Sequence, residues 1–186
     1  MKSARSFVAY LRKHGYQELG SGLYSVVYGK PGVDKVIKIG GHQGGGMDEY
    51  LHYIMWAISR GYAGKQAPKV YSFKLYRDER GGYYYVVILE RLSSDYDSYL
   101  RHQITDGTGH FRYDEKNIPA EWQEFAKEFT EEFPHANDMH EGNWMGRNGE
   151  LVLTDPLGGS GCGSSLPKRF KSPRPVKADD ARAVWC

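Results

Sequence analysis

Cysteine is scarce: two in 186 residues, Cys162 and Cys186, both in a glycine- and proline-rich end. They have no metal-ligand spacing, so a structural zinc site is not expected, and a reduced cytosolic setting is the simplest reading. No run of about eighteen apolar residues occurs, so no membrane span is expected. The N-terminus carries charge but no apolar secretory core, so no signal peptide is expected. Net charge is only +2, which argues against a dedicated nucleic-acid binder. What the chain does have is an ordinary share of hydrophobic residues and fifteen tyrosines, enough for one domain or two small lobes with a useful core.

Charge is uneven along the chain. After Asp155 there are six Lys/Arg against two acids, with prolines and serines between them. This composition predicts a basic, solvated tail over 161–186.

Periodicity predicts the elements. Ser3 to His14 reads as a short amphipathic helix closed by Gly15, followed by strands around Gln17–Leu19, Tyr24–Gly29 and Lys35–Ile39. Gly40 to Gly46 is a flexible connection. Met47 to Arg60 then reads as a helix with Tyr50, Leu51, Ile54, Met55 and Ile58 on one face and Gly61 as its stop. Lys69–Tyr76 and Tyr83–Glu90 predict a hairpin across 79–82. Ser94 to His102 reads as a short helix and 103–117 as an exposed loop. Pro119 opens a helix to Phe133 whose stripe Trp122, Phe125, Ala126, Phe129 and Phe133 is core. Leu151–Thr154 is a short strand that delivers Asp155. No internal repeat is evident.

Two stretches carry chemistry. In the first, Leu19-Gly20-Ser21-Gly22-Leu-Tyr-Ser25-Val-Val27-Tyr28, glycines let a hairpin backbone pass close over phosphates. A plain hairpin turn gives the same string. A turn at Pro31-Gly32 and then Val36-Ile-Lys38-Ile39 follow, which puts a lysine inside an apolar strand. It either snorkels to the surface or points at an anion. Glu49, near the start of the next helix, is the chosen partner for Lys38, with Asp48 as its competitor. Both acids also suit the positive end of a helix dipole.

The second stretch is His135-Ala-Asn-Asp138-Met-His140-Glu-Gly-Asn143, followed by Leu-Thr-Asp155-Pro156. Its order of aspartate, asparagine five residues on and aspartate twelve further suits phosphoryl transfer. One carboxylate faces an acceptor hydroxyl. An amide oxygen and a second carboxylate hold Mg²⁺ against nucleotide phosphates. Surface loops produce such patterns as well, and it is the pairing with the first stretch that raises the reading.

From about residue 16 to 158 the chain resembles protein-kinase-like phosphotransferases. It is most similar to the early-gene serine/threonine kinases of autographiviral podophages, which modify host proteins. The match lies in residues 19–28, Val36-Ile-Lys-Ile-Gly40, Asp138-Met-His-Glu-Gly-Asn143 and Thr154-Asp-Pro156. The resemblance implies an α+β, two-lobed kinase-like fold. An antiparallel-sheet lobe with one main helix would span 1–90, and a reduced helical lobe 91–160. It implies that Asp138 acts as base or orients the hydroxyl, and that Asn143 and Asp155 bind Mg²⁺. Lys38 would hold ATP phosphates, with Gly20, Ser21, Gly22, Ser25 and Val27 over the nucleotide. Glu90 and Leu92 would sit at the adenine hinge by position alone. His140 either stabilises the transferring phosphoryl group or ties the loop structurally. Host bacterial proteins are the implied substrates, in the host cytoplasm, and self-phosphorylation at Ser164, Ser165 or Ser172 is a further possibility.

The chain departs from the kinase pattern in several places. Ala136-Asn137-Asp138 stands for His-Arg-Asp, so no arginine is there to receive an activation-loop phosphate, and His135 is read as structural. Pro156 replaces the phenylalanine of Asp-Phe-Gly, and Gly158 comes one residue late. No Ala-Pro-Glu follows, and 31 residues remain after Asp155. Two alternatives stay open: a small-molecule phosphotransferase of the aminoglycoside type, and a non-enzymatic kinase-like inhibitor of a host protein.

Overall fold

The computed structural model of the chain describes residues 3–41, 49–77, 83–106, 110–112, 118–136 and 138–157. Expectations concerning Asp48, the connection 42–46, the turn 79–82, Asn137, Gly158 and the tail 161–186 lie outside the described residues. The chain is α+β and divides into two compact units. The first takes the described residues up to Gly41 together with Val70–Arg91. The second takes Glu49–Lys69 and the described residues from Leu92 to Leu157. The helix over residues 50–60 therefore belongs with the second unit, whereas the expected boundary grouped residues 1–90.

The first unit opens with α1 (Ala4–Lys13). Ser3 starts it with a capping box: its Oγ accepts from the Ser6 amide at 3.2 Å, and the Ser6 hydroxyl oxygen accepts from the Ser3 amide at 3.2 Å. Arg12 and Lys13 suit the negative end of the helix dipole. Five strands follow: β1 (Gln17–Ser21), β2 (Ser25–Gly29), β3 (Lys35–Gly41), β4 (Val70–Arg77) and β5 (Tyr83–Glu90). They pair antiparallel in the order β1-β2-β3-β5-β4.

Register assigns the two faces of this sheet. Ile37 and Ile39 pair with Tyr28 and Val26 on one side and with Ile88 and Val86 on the other. Their face packs with Phe7 and Leu11 of α1, and with Tyr76 and Tyr84, into one buried cluster. Complete burial of Leu11 (0% exposed) contributes about 2 kcal/mol. The opposite face carries Val36, Lys38, Val87 and Leu89, all buried.

The second unit contains α2 (Tyr50–Arg60), α3 (Ser98–Ile104), α4 (Ala120–Glu132), β6 (Trp144–Arg147) and β7 (Glu150–Leu153). Gly61 closes α2 in the left-handed conformation, φ 77°. The buried face of α2 differs from the expected one. Ile58 is 43% exposed and Met55 only half-buried, while Tyr53, Trp56 and Ala57 are buried. Aromatic packing decides this. Trp56 meets Phe125 and Phe129 of α4, and Phe133 just after it, edge-on at 5.4–5.6 Å, and Tyr53 meets Phe129 at 6.1 Å. Such edge-to-face pairs add about 1 kcal/mol each beyond the area they bury.

Helix α3 also starts later than expected, at Ser98 rather than Ser94. Asp97 caps it, its Oδ1 accepting from the Leu100 amide at 2.9 Å. The preceding residues bridge to the β6–β7 hairpin instead, Ser93 to Gly146 and Tyr96 to Gly149. Strand β6 was not among the expected elements. It joins β7 through Asn148-Gly149, both at positive φ (53° and 86°), the two-residue turn whose twist suits a hairpin.

A Cβ placed on Gly146 would collide with the main-chain carbonyl of Asp95. The variant Gly146→Ala therefore loses about 3 kcal/mol of stability, read as a lower denaturation midpoint in urea. Burial, then the carboxylate of Glu128, pushes the Tyr62 hydroxyl up to about 12 from 10.0. Below pH 10 both folded and unfolded chains keep that proton, so stability is full there. Between pH 10 and about 12 only the unfolded chain loses the proton, so stability falls through that window. Alkaline denaturation of Tyr62→Phe, compared with the native chain, reads a shallower fall.

Candidate functional site

In the first unit, pairing lines up one transverse row. Gly20 opposes Val27, Val27 opposes Lys38, Lys38 opposes Val87, and Val87 opposes Phe73. Directly paired residues share a face, so Val27 and Lys38 lie on the same side, beside the glycine strand. Lys38 is 4% exposed. An ammonium group this deeply placed needs an electrostatic counterpart, and Lys38 does have a polar interaction.

The β1–β2 turn is closed by the Gly22 amide donating to the Ser25 carbonyl at 2.8 Å. The strand register slips between Glu18 and Gly20, a bulge of the kind that re-aims a strand end. A Cβ built on Gly20 or Gly22 meets nothing within 4 Å, so both glycines face open space. Ser21 ends β1 exposed and Ser25 opens β2 half-buried. Glu90 ends β5 opposite Lys35, and the chain passes from the first unit to the second between Arg91 and Leu92. The Arg91 amide donates to the Asp34 carbonyl at 2.7 Å, which holds the end of β5 to the turn before β3. Glu49 stands at the N-cap of α2 without a side-chain capping bond, in the second unit, whereas Lys38 lies in the first.

In the second unit, the loop 138–143 holds Asp138, His140 and Asn143 in contact, and the hairpin β6–β7 sets Thr154, the neighbour of Asp155, against the Asn143 carbonyl. Trp144 pairs with Leu153, and the pairing continues one step further. The Thr154 amide donates to the Asn143 carbonyl at 2.8 Å, and the Thr154 hydroxyl donates to the same oxygen at 2.9 Å. Asn143 and Asp155 are thus carried at one end of the hairpin. Asn143, 8% exposed, donates from Nδ2 to the Asp138 carbonyl at 2.6 Å. Its amide nitrogen is committed to the loop, which leaves Oδ1 as the acceptor.

His140 caps the short 3₁₀ turn Glu141–Asn143. Its Nδ1 accepts from the Gly142 amide at 3.1 Å, so the neutral ring carries its proton on Nε2. That nitrogen lies 3.5 Å from Asp138 Oδ1. The expectation left His140 between stabilising a transferring phosphoryl group and tying the loop; Nδ1 shapes the loop and Nε2 faces the Asp138 carboxylate, contacts that fit the structural role.

Below the loop lies the aromatic core. The Trp144 indole donates to the Met139 carbonyl at 3.1 Å, and its ring meets Phe111 and Trp122. Tyr53, fully buried, donates its hydroxyl to the Leu153 carbonyl at 2.6 Å. Burial and, second, the negative charge of Asp155 push that hydroxyl well above its ordinary value, so it remains a donor. Tyr53 and Trp144 were not singled out from the sequence, and Thr154 and Gly142 were named only as parts of motifs. The Asn148-Gly149 dipeptide between two apolar runs was the signal that would have exposed the hairpin and its register.

Among the described residues no group of three or more His, Cys, Asp or Glu side chains is placed to hold a metal ion. The pair Asn143 and Asp155 offers two hard oxygen donors. That fits Mg²⁺, which takes one or two protein carboxylates and completes its shell with water and phosphate oxygens. No protein-family model matches the chain, and no curated protein sequence matches it either.

A Cβ on Gly142 would stand 3.0 Å from the His140 ring carbon Cε1 and 3.2 Å from Nδ1. Gly142→Ala should therefore displace the ring and release its tautomer. Nitrogen-15 NMR of the histidine rings checks this: the native chain shows His140 protonated on Nε2, and the variant shows a mixed population.

Proposed function

We propose that the chain is an ATP- and Mg²⁺-dependent phosphotransferase that acts on serine or threonine hydroxyls of proteins. The resemblance to early-gene phage kinases points to proteins of a bacterial host as substrates. What supports this reading is the contact among Asp138, His140 and Asn143 in one loop, with Asp155 following the Thr154 that bonds the Asn143 carbonyl. A loop serving only to connect elements has no need for a carboxylate, an oriented amide and an imidazole in contact with one another.

In this reading the acceptor hydroxyl oxygen forms a bond to the γ-phosphorus as the bridging bond to the β-phosphate breaks. The hydroxyl proton passes to Asp138, which also aligns the oxygen. Asn143 and Asp155 would hold Mg²⁺, which when bound offsets charge on the phosphate oxygens. His140, whose Nε2 lies 3.5 Å from Asp138 Oδ1, would help to orient that carboxylate. In the first unit, Lys38 would supply positive charge for nucleotide phosphates, and Gly20 and Gly22 leave room beside the β1–β2 turn. The contact between His140 and Asp138 also favours a second reading, transfer to a small-molecule hydroxyl, since phosphotransferases of the aminoglycoside type share the Asp-x-His loop.

Labelled ATP with Mg²⁺, the full chain and bacterial lysate separates the readings. Label on lysate proteins supports the proposal, label on small molecules alone supports the second reading, and no transfer at all contradicts both. Asp138→Ala should lower turnover about 10²–10⁴-fold with ATP affinity largely retained. An equal loss in ATP affinity would contradict the role given to Asp138.

A further inference from the structure

The hairpin β6–β7 is a sheet of two strands, so β7 has an outer edge that β6 does not use. At Leu153 this edge is taken up by α2 and the turn that follows it. The Leu153 amide donates to the Gln66 carbonyl at 2.8 Å, and the Leu153 carbonyl accepts the Tyr53 hydroxyl at 2.6 Å. Arg147 fixes the same turn from the other strand, donating to the Lys65 and Ala67 carbonyls at 2.7 and 3.1 Å. Tyr53 and Leu153 are both 0% exposed, so solvent offers that carbonyl no substitute donor.

The carbonyl of Leu153 and the amide of Thr154 belong to one planar peptide unit and point in opposite directions. Tyr53 holds one end of that plane, and the Asn143 carbonyl holds the other at 2.8 Å. A plane tied at both ends resists turning about the chain axis. Asp155 is the next residue after Thr154, so this plane governs the direction in which it leaves the strand. The Asp155 carboxylate lies near enough for its charge to act on the Tyr53 hydroxyl. The tyrosine ring is itself held, edge-on to Phe129 at 6.1 Å and stacked with Trp56 at 6.3 Å.

We infer that Tyr53 is a positioning residue for divalent-cation binding: its hydroxyl orients the Leu153–Thr154 peptide and thereby the Asp155 carboxylate. Its role in binding rests on the reading of Asn143 and Asp155 as the Mg²⁺ ligands. Mg²⁺ is demanding in this respect, because it binds well only near ideal octahedral geometry. A carboxylate free to wander keeps its charge but loses affinity for the ion. Tyr53 touches neither metal nor substrate, and acts only through the main chain that leads to Asp155.

Tyr53→Phe removes the hydroxyl and keeps the ring, so its packing on Phe129 is retained. Three readouts on the full chain test the role. In the metal-free variant, the Thr154 amide proton should show a steeper NMR temperature coefficient, the mark of a weakened bond to Asn143. Mn²⁺ with a non-hydrolysable ATP analogue, followed by water proton relaxation, should bind about tenfold more weakly. The Mg²⁺ concentration for half-maximal transfer should rise by the same factor, with kcat at saturating Mg²⁺ within about twofold of native. A merely structural tyrosine behaves differently: loss of folded protein lowers kcat at every Mg²⁺ concentration and leaves half-saturation in place. Thr130→Val removes a comparable hydroxyl, which donates to the Ala126 carbonyl at 2.8 Å within α4, and should change none of the three. Native Mn²⁺ affinity in Tyr53→Phe, an unchanged Thr154 amide, or an equal loss in Thr130→Val overturns this role for Tyr53 alone. A native chain whose Mn²⁺ binding survives Asp155→Ala overturns the reading of the ligand pair, and the role of Tyr53 with it.

Discussion

The carbonyl oxygen of Asn143 accepts two hydrogen bonds from one residue, the amide and the hydroxyl of Thr154. The candidate site depends on this pair of hydrogen bonds. It extends the β6–β7 register by one residue at its open end, and so fixes where Asn143 and Asp155 emerge. The bond from Asn143 Nδ2 to the Asp138 carbonyl then adds the third polar residue. A loop of six residues is held at both ends by neighbours in the hairpin, with little left to side-chain freedom.

Support for that hairpin comes from aromatic packing. Trp144 belongs both to the strand and to the ring cluster of Phe111, Trp122, Phe125 and Phe129. Tyr53 reaches the other strand of the hairpin from α2 and satisfies the Leu153 carbonyl. The tyrosines and tryptophans do more than fill space here. Tyr53 and Trp144 each bring one polar atom into a buried region and spend it on a main-chain carbonyl beside the loop. The high aromatic content of the chain thus has a local use.

Much of the fold was legible because its strands alternate or run apolar and its turns carry glycine. β2, β3, β4 and β5 stand close to their expected places, and Lys38 stood out because a cation in Val-Ile-Lys-Ile breaks an apolar run. The face of α2 was misjudged for a physical reason. Aliphatic periodicity favoured Met55 and Ile58, while the neighbouring helix offers rings, so Tyr53 and Trp56 turn inward. The start of α3 was misplaced because Ser93 to Tyr96 have strand-like partners distant in sequence. Asp138, Asn143 and Asp155 were named from spacing alone. The bonds that gather them involve main-chain carbonyls, which leave no mark on side-chain identity.

The most direct test of the site uses Mn²⁺ in place of Mg²⁺, with a non-hydrolysable ATP analogue and the full chain, read by paramagnetic broadening of amide NMR signals. The account predicts that the amides of Trp144 and Leu153 broaden at low metal occupancy, and that Asp155→Ala abolishes the effect. Broadening confined to other residues, or broadening that survives the loss of Asp155, would contradict it.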